Sequence, residues 1–188
     1  MFARTERLAL RPGWAEDAPA LFAAVADEAI VRNLASAPWP YTLADAEAFL
    51  AAERCLTAPS MLIFRRTLGA PQLAGAIGFG RRPDGEMEFG YWIARPFWGL
   101  GYATEAGRAV IAMARDSLRL SRIQAGHFVD NPASGRVLQK LGFRSAGVVQ
   151  RYSAGRREAA PCREYELILD SGEAAAADDC VADARMAA

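Results

Sequence analysis

The sequence predicts an α+β fold: one domain with a mixed, mostly antiparallel sheet of about seven strands and with four helices. Three observations carry this. The N-terminal run RLALR (7–11) alternates apolar and polar residues, as a half-buried strand does. Residues 61–94 hold three strand-like runs separated only by turn signals, which is an antiparallel meander. From residue 95 onward helices intervene between strands, and a helical crossover brings in a parallel neighbour.

Each element has a local cause. Pro12 and Gly13 end the first strand. Residues 14–28 place Leu21, Phe22 and Val25 at helical spacing. Residues 33–41 (NLASAPWPY) read as a loop, because the prolines flanking Trp39 disfavour helix. Thr42 with Asp45 is a capping signal for a helix running through Phe49 and Leu50 to about Cys55. The meander strands are 61–67, 73–81 and 86–94, with turns at 69–71 and at Pro83-Asp84-Gly85. A helix starts near Tyr102 and carries Ala106, Val110, Met113 and Ala114 on its apolar stripe. A strand follows at 121–129. Asn131 is then an N-cap with Pro132 at the first helical position, and Gly142 ends that helix. Strands 143–152 and 162–169 close the fold around an Arg/Gly-rich turn at 153–160. The order is β-α-α-β-β-β-α-β-α-β-β. The domain covers 5–170, and the Ala- and Asp-rich residues 171–188, which have no apolar stripe, form a tail.

Composition narrows the function classes. The 22 Lys and Arg balance the 22 Asp and Glu, which argues against a general nucleic-acid or membrane binder. Cys55, Cys162 and Cys180 are odd in number and widely spaced, so no disulfide framework is expected. With His127 as the single histidine, no metal site is expected either. The segment MFARTERLALRP has no long apolar core of a secretion signal, and no stretch approaches the ~20 apolar residues of a membrane span. A cytoplasmic protein is expected, as a monomer or a homodimer.

The segment 95–106 (RPFWGLGYATEA) carries the most chemistry. A strand leads into a glycine-bearing loop, Trp98-Gly99-Leu100-Gly101, and then into a helix start. Such a loop lets the backbone approach a ligand closely, while the helix N-terminus directs free N–H groups and partial positive charge outward. Together they make an anion site suited to a pyrophosphate. G-x-G alone also suits an ordinary tight turn. With no third glycine and no Gly-Lys-Ser/Thr, it is neither the dinucleotide fingerprint nor a P-loop.

Four stretches resemble the GCN5-related (GNAT) acetyltransferases, in particular the RimJ/RimL-like branch that acetylates ribosomal-protein N-termini. They are TERLALRP (5–12), EFGYWI (88–93), RPFWGLGYATEA (95–106) and DNPASGRVLQKLGF (130–143). The resemblance spans about residues 5–169. It implies acetyl-CoA as acetyl donor and an amine as acceptor, either a protein N-terminus or a small molecule. It implies backbone contacts to the CoA pyrophosphate from Gly99, Leu100, Gly101, Tyr102, Ala103 and Thr104. It further implies a pantetheine arm inserted between two splayed strands, pairing with backbone groups of Trp92 and Ile93. Asn131 and Ser134 match the family's N-x-x-S and are expected at the cofactor. The family's usual Gln or Arg three residues before the first glycine is Pro96 here, which weakens side-chain help at that point.

For proton transfer, Glu88 is the candidate base, with Glu86 on the same strand face as alternative. Glu105 is a recurrent family residue in the first helical turn, where it braces the loop or serves catalysis. The family's tyrosine acid is replaced by Leu138. The loop carrying Trp39 and Tyr41 is expected over the acceptor entrance, and His127 is a further candidate for an acceptor contact. The resulting reading is direct acetyl transfer to a primary amine in a ternary complex. The alternative is an acyl-CoA-binding module without catalysis, which Leu138 and Pro96 keep open.

Overall fold

The computed structural model describes residues 2–53 and 55–169, so the predicted tail at 171–188 lies outside the described residues. The strands are β1 (Ala3–Arg4), β2 (Leu8–Arg11), β3 (Ser60–Arg65), β4 (Gln72–Arg81), β5 (Met87–Ile93), β6 (Arg122–Phe128), β7 (Arg144–Ser153) and β8 (Glu158–Ile168). They form one sheet in the order β1-β2-β3-β4-β5-β6-β8-β7. β5 and β6 are parallel, and the other neighbours are antiparallel. The helices are α1 (Ala18–Val25), α2 (Glu28–Val31), α3 (Leu43–Ala51), α4 (Tyr102–Asp116) and α5 (Pro132–Lys140). None of them is long and apolar enough to cross a membrane.

The α+β class and the element order match the sequence reading, with one strand and one helix more than predicted. The additional strand is the two-residue β1, too short for any periodicity. The additional helix is α2, because residues 14–28 do not form a single helix. A 3-10 turn at Ala15–Asp17 precedes α1. Asp27 then leaves the helical region (φ −132°, ψ 124°) and its side chain accepts the amide of Ala29, starting α2. Thr42 and Asp45 form a reciprocal capping box on α3, as their spacing predicts.

Alternation along β5 assigns its side chains to two layers. Phe89 and Tyr91 pack with Val110 of α4 and Leu138 of α5. Trp92 turns the other way, against Leu21 and Val25 of α1 and Leu50 of α3. Full burial of such a side chain stabilises by about 1.5–3 kcal/mol, so these two layers hold β5 firmly in the middle of the sheet.

The β7–β8 hairpin reaches over the α1 side and grips the chain after α2. Ser153 Oγ donates to the Leu34 carbonyl at 2.9 Å, and the Ala154 amide donates to the Ala35 carbonyl at 2.8 Å. Arg156 Nε donates to the Arg32 carbonyl at 2.6 Å. A Cβ on Gly155 would lie 2.7 Å from the Val31 carbonyl oxygen, so the hairpin tip meets α2 backbone to backbone. Residues 31–35 are thereby fixed from outside their own helix.

Candidate active site

β5 and β6 separate in the middle of the sheet. Each is seven residues long, yet they pair at only two positions, Glu88↔Gln124 and Phe89↔Ala125. Beyond Phe89 a gap opens. The amide of Ala94 donates to the Ala74 carbonyl, so by the two-residue alternation of a ladder Trp92 also turns its backbone to β4. Tyr91 and Ile93 are the residues whose main chain faces the gap. The expectation for Ile93 fits this phase. For Trp92 it is corrected: its side chain lines the cavity below, while its backbone belongs to the β4 ladder. The Ile93 carbonyl accepts the Trp98 indole N–H at 2.6 Å.

A cavity of about 330 Å³ runs along the gap to the start of α4. Of the predicted cofactor residues, Trp92, Ile93, Gly99, Gly101, Tyr102, Ala103, Thr104, Asn131 and Ser134 line it, and Leu100 does not. Gly99 and Gly101 have φ of 76° and 81°, a region that L side chains seldom adopt. The Glu105 amide makes the first turn's bond to the Gly101 carbonyl at 3.0 Å. The amides of Tyr102, Ala103 and Thr104 precede it and have no helical acceptor. Arg136 and Lys140 of α5 add positive charge to the wall.

The loop is braced from the connection between β1 and β2. Glu105 accepts from Thr5 Oγ1 at 2.5 Å, from the Arg7 amide at 2.9 Å and from Arg7 Nε at 2.7 Å. Arg7 also donates to the Leu100 carbonyl at 3.0 Å. Burial alone raises the Glu105 pKa, but the hydrogen bonds from Thr5 and Arg7 and the charge of Arg7 outweigh it, and the net shift is downward.

Asn131 caps α5 by accepting the Ser134 amide at 3.3 Å. Ser134 Oγ lies 2.7 Å from the Tyr91 hydroxyl, which also donates to the Ser134 carbonyl at 3.1 Å. Burial pushes the Tyr91 phenol well above its usual range, so it stays protonated. Tyr91 and the α2 residues Ala29 and Ile30 are site residues that sequence reasoning did not assign. His127 lines neither this cavity nor the second one described below. It sits under α5, Nδ1 at 2.8 Å from the Phe128 carbonyl, and a Cβ on Gly135 would be 2.6 Å from Nε2. Burial lowers its pKa and favours the neutral ring. The expected acceptor contact is corrected to a packed position beneath a helix.

A second cavity of about 350 Å³ lies on the opposite layer, between α1, α3 and the loop at 36–41. Leu34 and Trp92 line both cavities. Tyr41 and Asp45 line the second, and the Tyr41 phenol is raised to about 12, first by burial and then by the charge of Asp45. Trp39 is outside its lining and packs against the α1–α3 cluster.

Glu88 is buried, its side chain 2% exposed. Arg151 donates to both carboxylate oxygens, at 2.5 and 2.7 Å, and Arg82 lies 3.9 Å away. Glu88 lines neither cavity. The residue expected as the base is thus an ion-paired carboxylate at the vertex of the gap. Glu86 is paired with Arg122 at 3.3 Å.

Comparison with known proteins decides the family. Residues 7–144 match the acetyltransferase (GNAT) domain. The chain belongs to the GNAT acetyltransferase family. The uncharacterized N-acetyltransferase YoaA of Bacillus subtilis (strain 168) is 34% identical over 155 residues, which are 79% of this chain and 85% of YoaA. Among solved structures, a GNAT-family acetyltransferase from Bacillus anthracis superposes with a TM-score of 0.75 at 24% identity, covering 89% of this chain and 98% of that one. RimL, the ribosomal L7/L12 α-N-protein acetyltransferase, superposes with a TM-score of 0.74 at 23% identity, covering 92% and 100%. These structures share the fold. As a GNAT enzyme the chain is an N-acetyltransferase that takes its acetyl group from acetyl-CoA. Its residues fit that donor. A Cβ on Gly99 would meet no atom within 4 Å, and the helix-start amides, Arg136 and Lys140 suit phosphate charge. The open edge of β5 suits an extended amide-bearing arm.

Proposed function

We propose that this GNAT enzyme acetylates a primary α-amine, that of a protein N-terminus, by direct attack within one ternary complex. The catalytic domain in this reading is residues 5–170. The observation that carries it is a pair of neighbouring cavities that share Leu34 and Trp92 as wall residues. Donor and acceptor can then occupy the protein together, on either side of β5. Acetyl-CoA, when bound, supplies a thioester activated for attack by an amine.

The chain's own residues hold the parts. Gly99, Gly101 and the amides of Tyr102, Ala103 and Thr104 take the pyrophosphate, with Asn131 and Ser134 at the wall. Tyr91 and Ile93 align the arm along β5. The Tyr91–Ser134 hydroxyl pair at the cavity wall stands in for the tyrosine missing at Leu138, donating a hydrogen bond to the leaving sulfur once the Tyr91 hydroxyl turns from the Ser134 carbonyl. A thiolate of pKa about 8.5 needs no stronger help. Direct transfer is favoured because no cysteine or histidine is among the described residues lining either cavity.

The missing free base favours an α-amine. Among the described residues, the first cavity has no carboxylate lining, and the second has Asp45 alone, whose Oδ2 is bonded to Thr42. An α-amino group of pKa about 7.7–8.0 is roughly a third neutral at pH 7.5, whereas a lysine amine of pKa about 10.4 is neutral on the order of once in a thousand. Water suffices as proton acceptor for the former. That RimL is an α-N-protein acetyltransferase agrees with this choice. In a thiol-release assay, short peptides with free α-amines should turn over, and their Nα-blocked lysine analogues should not. Faster turnover of the lysine analogues would refute the α-amine assignment.

A further inference from the structure

We propose that the second cavity is the side-chain pocket of the acceptor, and that it selects an acceptor whose first residue is apolar. This rests on the α-amine reading above and names its substrate class. Three observations converge on it. First, the cavity shares Leu34 and Trp92 as wall residues with the cofactor cavity, so it is the space next to the reacting end of the cofactor into which an acceptor's side chain can extend. Second, the walls are mainly carbon: Leu21 and Val25 from α1, Ala48 and Phe49 from α3, and the indole of Trp92 beneath. At about 350 Å³ it has room for any single natural side chain, and lies within the ligand-site range of about 300–1,000 Å³.

Third, the polar corner disfavours an acidic guest. Asp45 carries the corner's negative charge, and the Tyr41 phenol beside it stays protonated at neutral pH. An acidic first side chain would meet Asp45 without a cationic partner in the cavity's described lining and would lose its own hydration. An aliphatic or aromatic side chain gives up nothing polar. Burial of one such group corresponds to roughly a tenfold to hundredfold gain in kcat/KM over a residue with no side chain.

The wall is also held in place. Leu34 is fixed by Ser153 Oγ on its carbonyl, and its neighbour Ala35 by the Ala154 amide. The pocket therefore has a defined size, which makes it testable by filling. Ala48 is on the exposed side of α3 and Ser36 is in the surface loop, so larger residues there are compatible with folding.

The test uses the full chain, acetyl-CoA and peptides identical except at the first residue: Gly, Ala, Leu, Phe, Ser or Asp. The expected order of kcat/KM is Leu and Phe highest, Gly lower by about ten- to a hundredfold, and Asp lowest. Ala48→Trp and Ser36→Phe should each raise KM for the Leu and Phe peptides at least about fivefold, with acetyl-CoA affinity by calorimetry within twofold of the parent. A profile indifferent to the first residue, unaltered in both variants, overturns the pocket and leaves the α-amine reading standing. Acetyl-CoA binding with no peptide turned over, while small amines are, overturns the α-amine reading itself.

Discussion

Arg151 on β7 grips both carboxylate oxygens of Glu88 on β5, reaching across β8 and β6 to do so. Gly126 and Cys162 are the small residues it crosses, and a Cβ on Gly126 would lie 3.4 Å from the guanidinium. Glu88 is one of the two positions at which β5 still pairs with β6, so the ion pair closes the vertex of the gap. A buried pair broken on one side leaves an uncompensated charge, costing about 3–5 kcal/mol. Glu88→Gln and Arg151→Met should each cost that much in urea unfolding, and the double variant should recover part of it. In the Glu88→Gln protein that remains folded, the acid limb of the kcat–pH profile should persist. Disappearance of that limb would reinstate Glu88 as the base.

Tyr91→Phe removes the hydroxyl that meets Ser134 and keeps the ring in its layer. A single preorganised donor at developing negative charge is worth about 10²–10³ in rate at most, and less where the leaving group is already a good one. Turnover should fall about tenfold or more, with KM for acetyl-CoA changed little. Steady-state kinetics with a fixed peptide acceptor reads this directly, and unchanged kcat would remove Tyr91 from the reaction.

Glu105 ties the cofactor loop to the β1–β2 connection and sets a pH dependence. Its folded pKa is depressed, so its contribution is fully present above the unfolded value of about 4.3 and is lost as pH falls through the folded value. Thermal melts from pH 6 to pH 3 should show the parent losing more stability than Glu105→Gln, which lacks the contribution throughout. Parallel curves for the two proteins would contradict this.

Gly155→Val drives side-chain atoms into the Val31 carbonyl region, where the nearest contact is backbone and cannot rotate away. Overpacking of this kind costs about 1–3 kcal/mol. Because Ala29, Ile30 and Leu34 line the cofactor cavity and Leu34 also lines the second, KM for the peptide acceptor and the dissociation constant of acetyl-CoA should both rise. Parent-like values of both in a folded variant would mean the hairpin does not set these walls.

Much of this architecture was legible in residue order. The meander, the crossover helix, the Asn131 cap and the glycine loop are local signals, and each appears where its own chemistry requires it. The division of residues 14–28 was also written locally, in Asp27 followed by Glu28, but a helical stripe from Leu21 to Val25 masked it. The rest depends on distance in sequence. Arg151 lies 63 residues from Glu88, and no spacing rule connects them. Whether Trp92 or its neighbours face the gap depends on the phase of the β4 ladder, which alternation alone leaves open. The second cavity draws on α1, α3, a loop and β5, and only packing brings those together.

Calorimetric titration of acetyl-CoA into Gly101→Glu tests the pyrophosphate cradle most directly. Gly101 holds φ at 81°, so any side chain there is strained, and a carboxylate would stand beside the amides that receive the phosphates. We predict at least a thirtyfold loss of affinity, about 2 kcal/mol, with Gly101→Ala losing less. Parent-like binding in the glutamate variant would contradict the account.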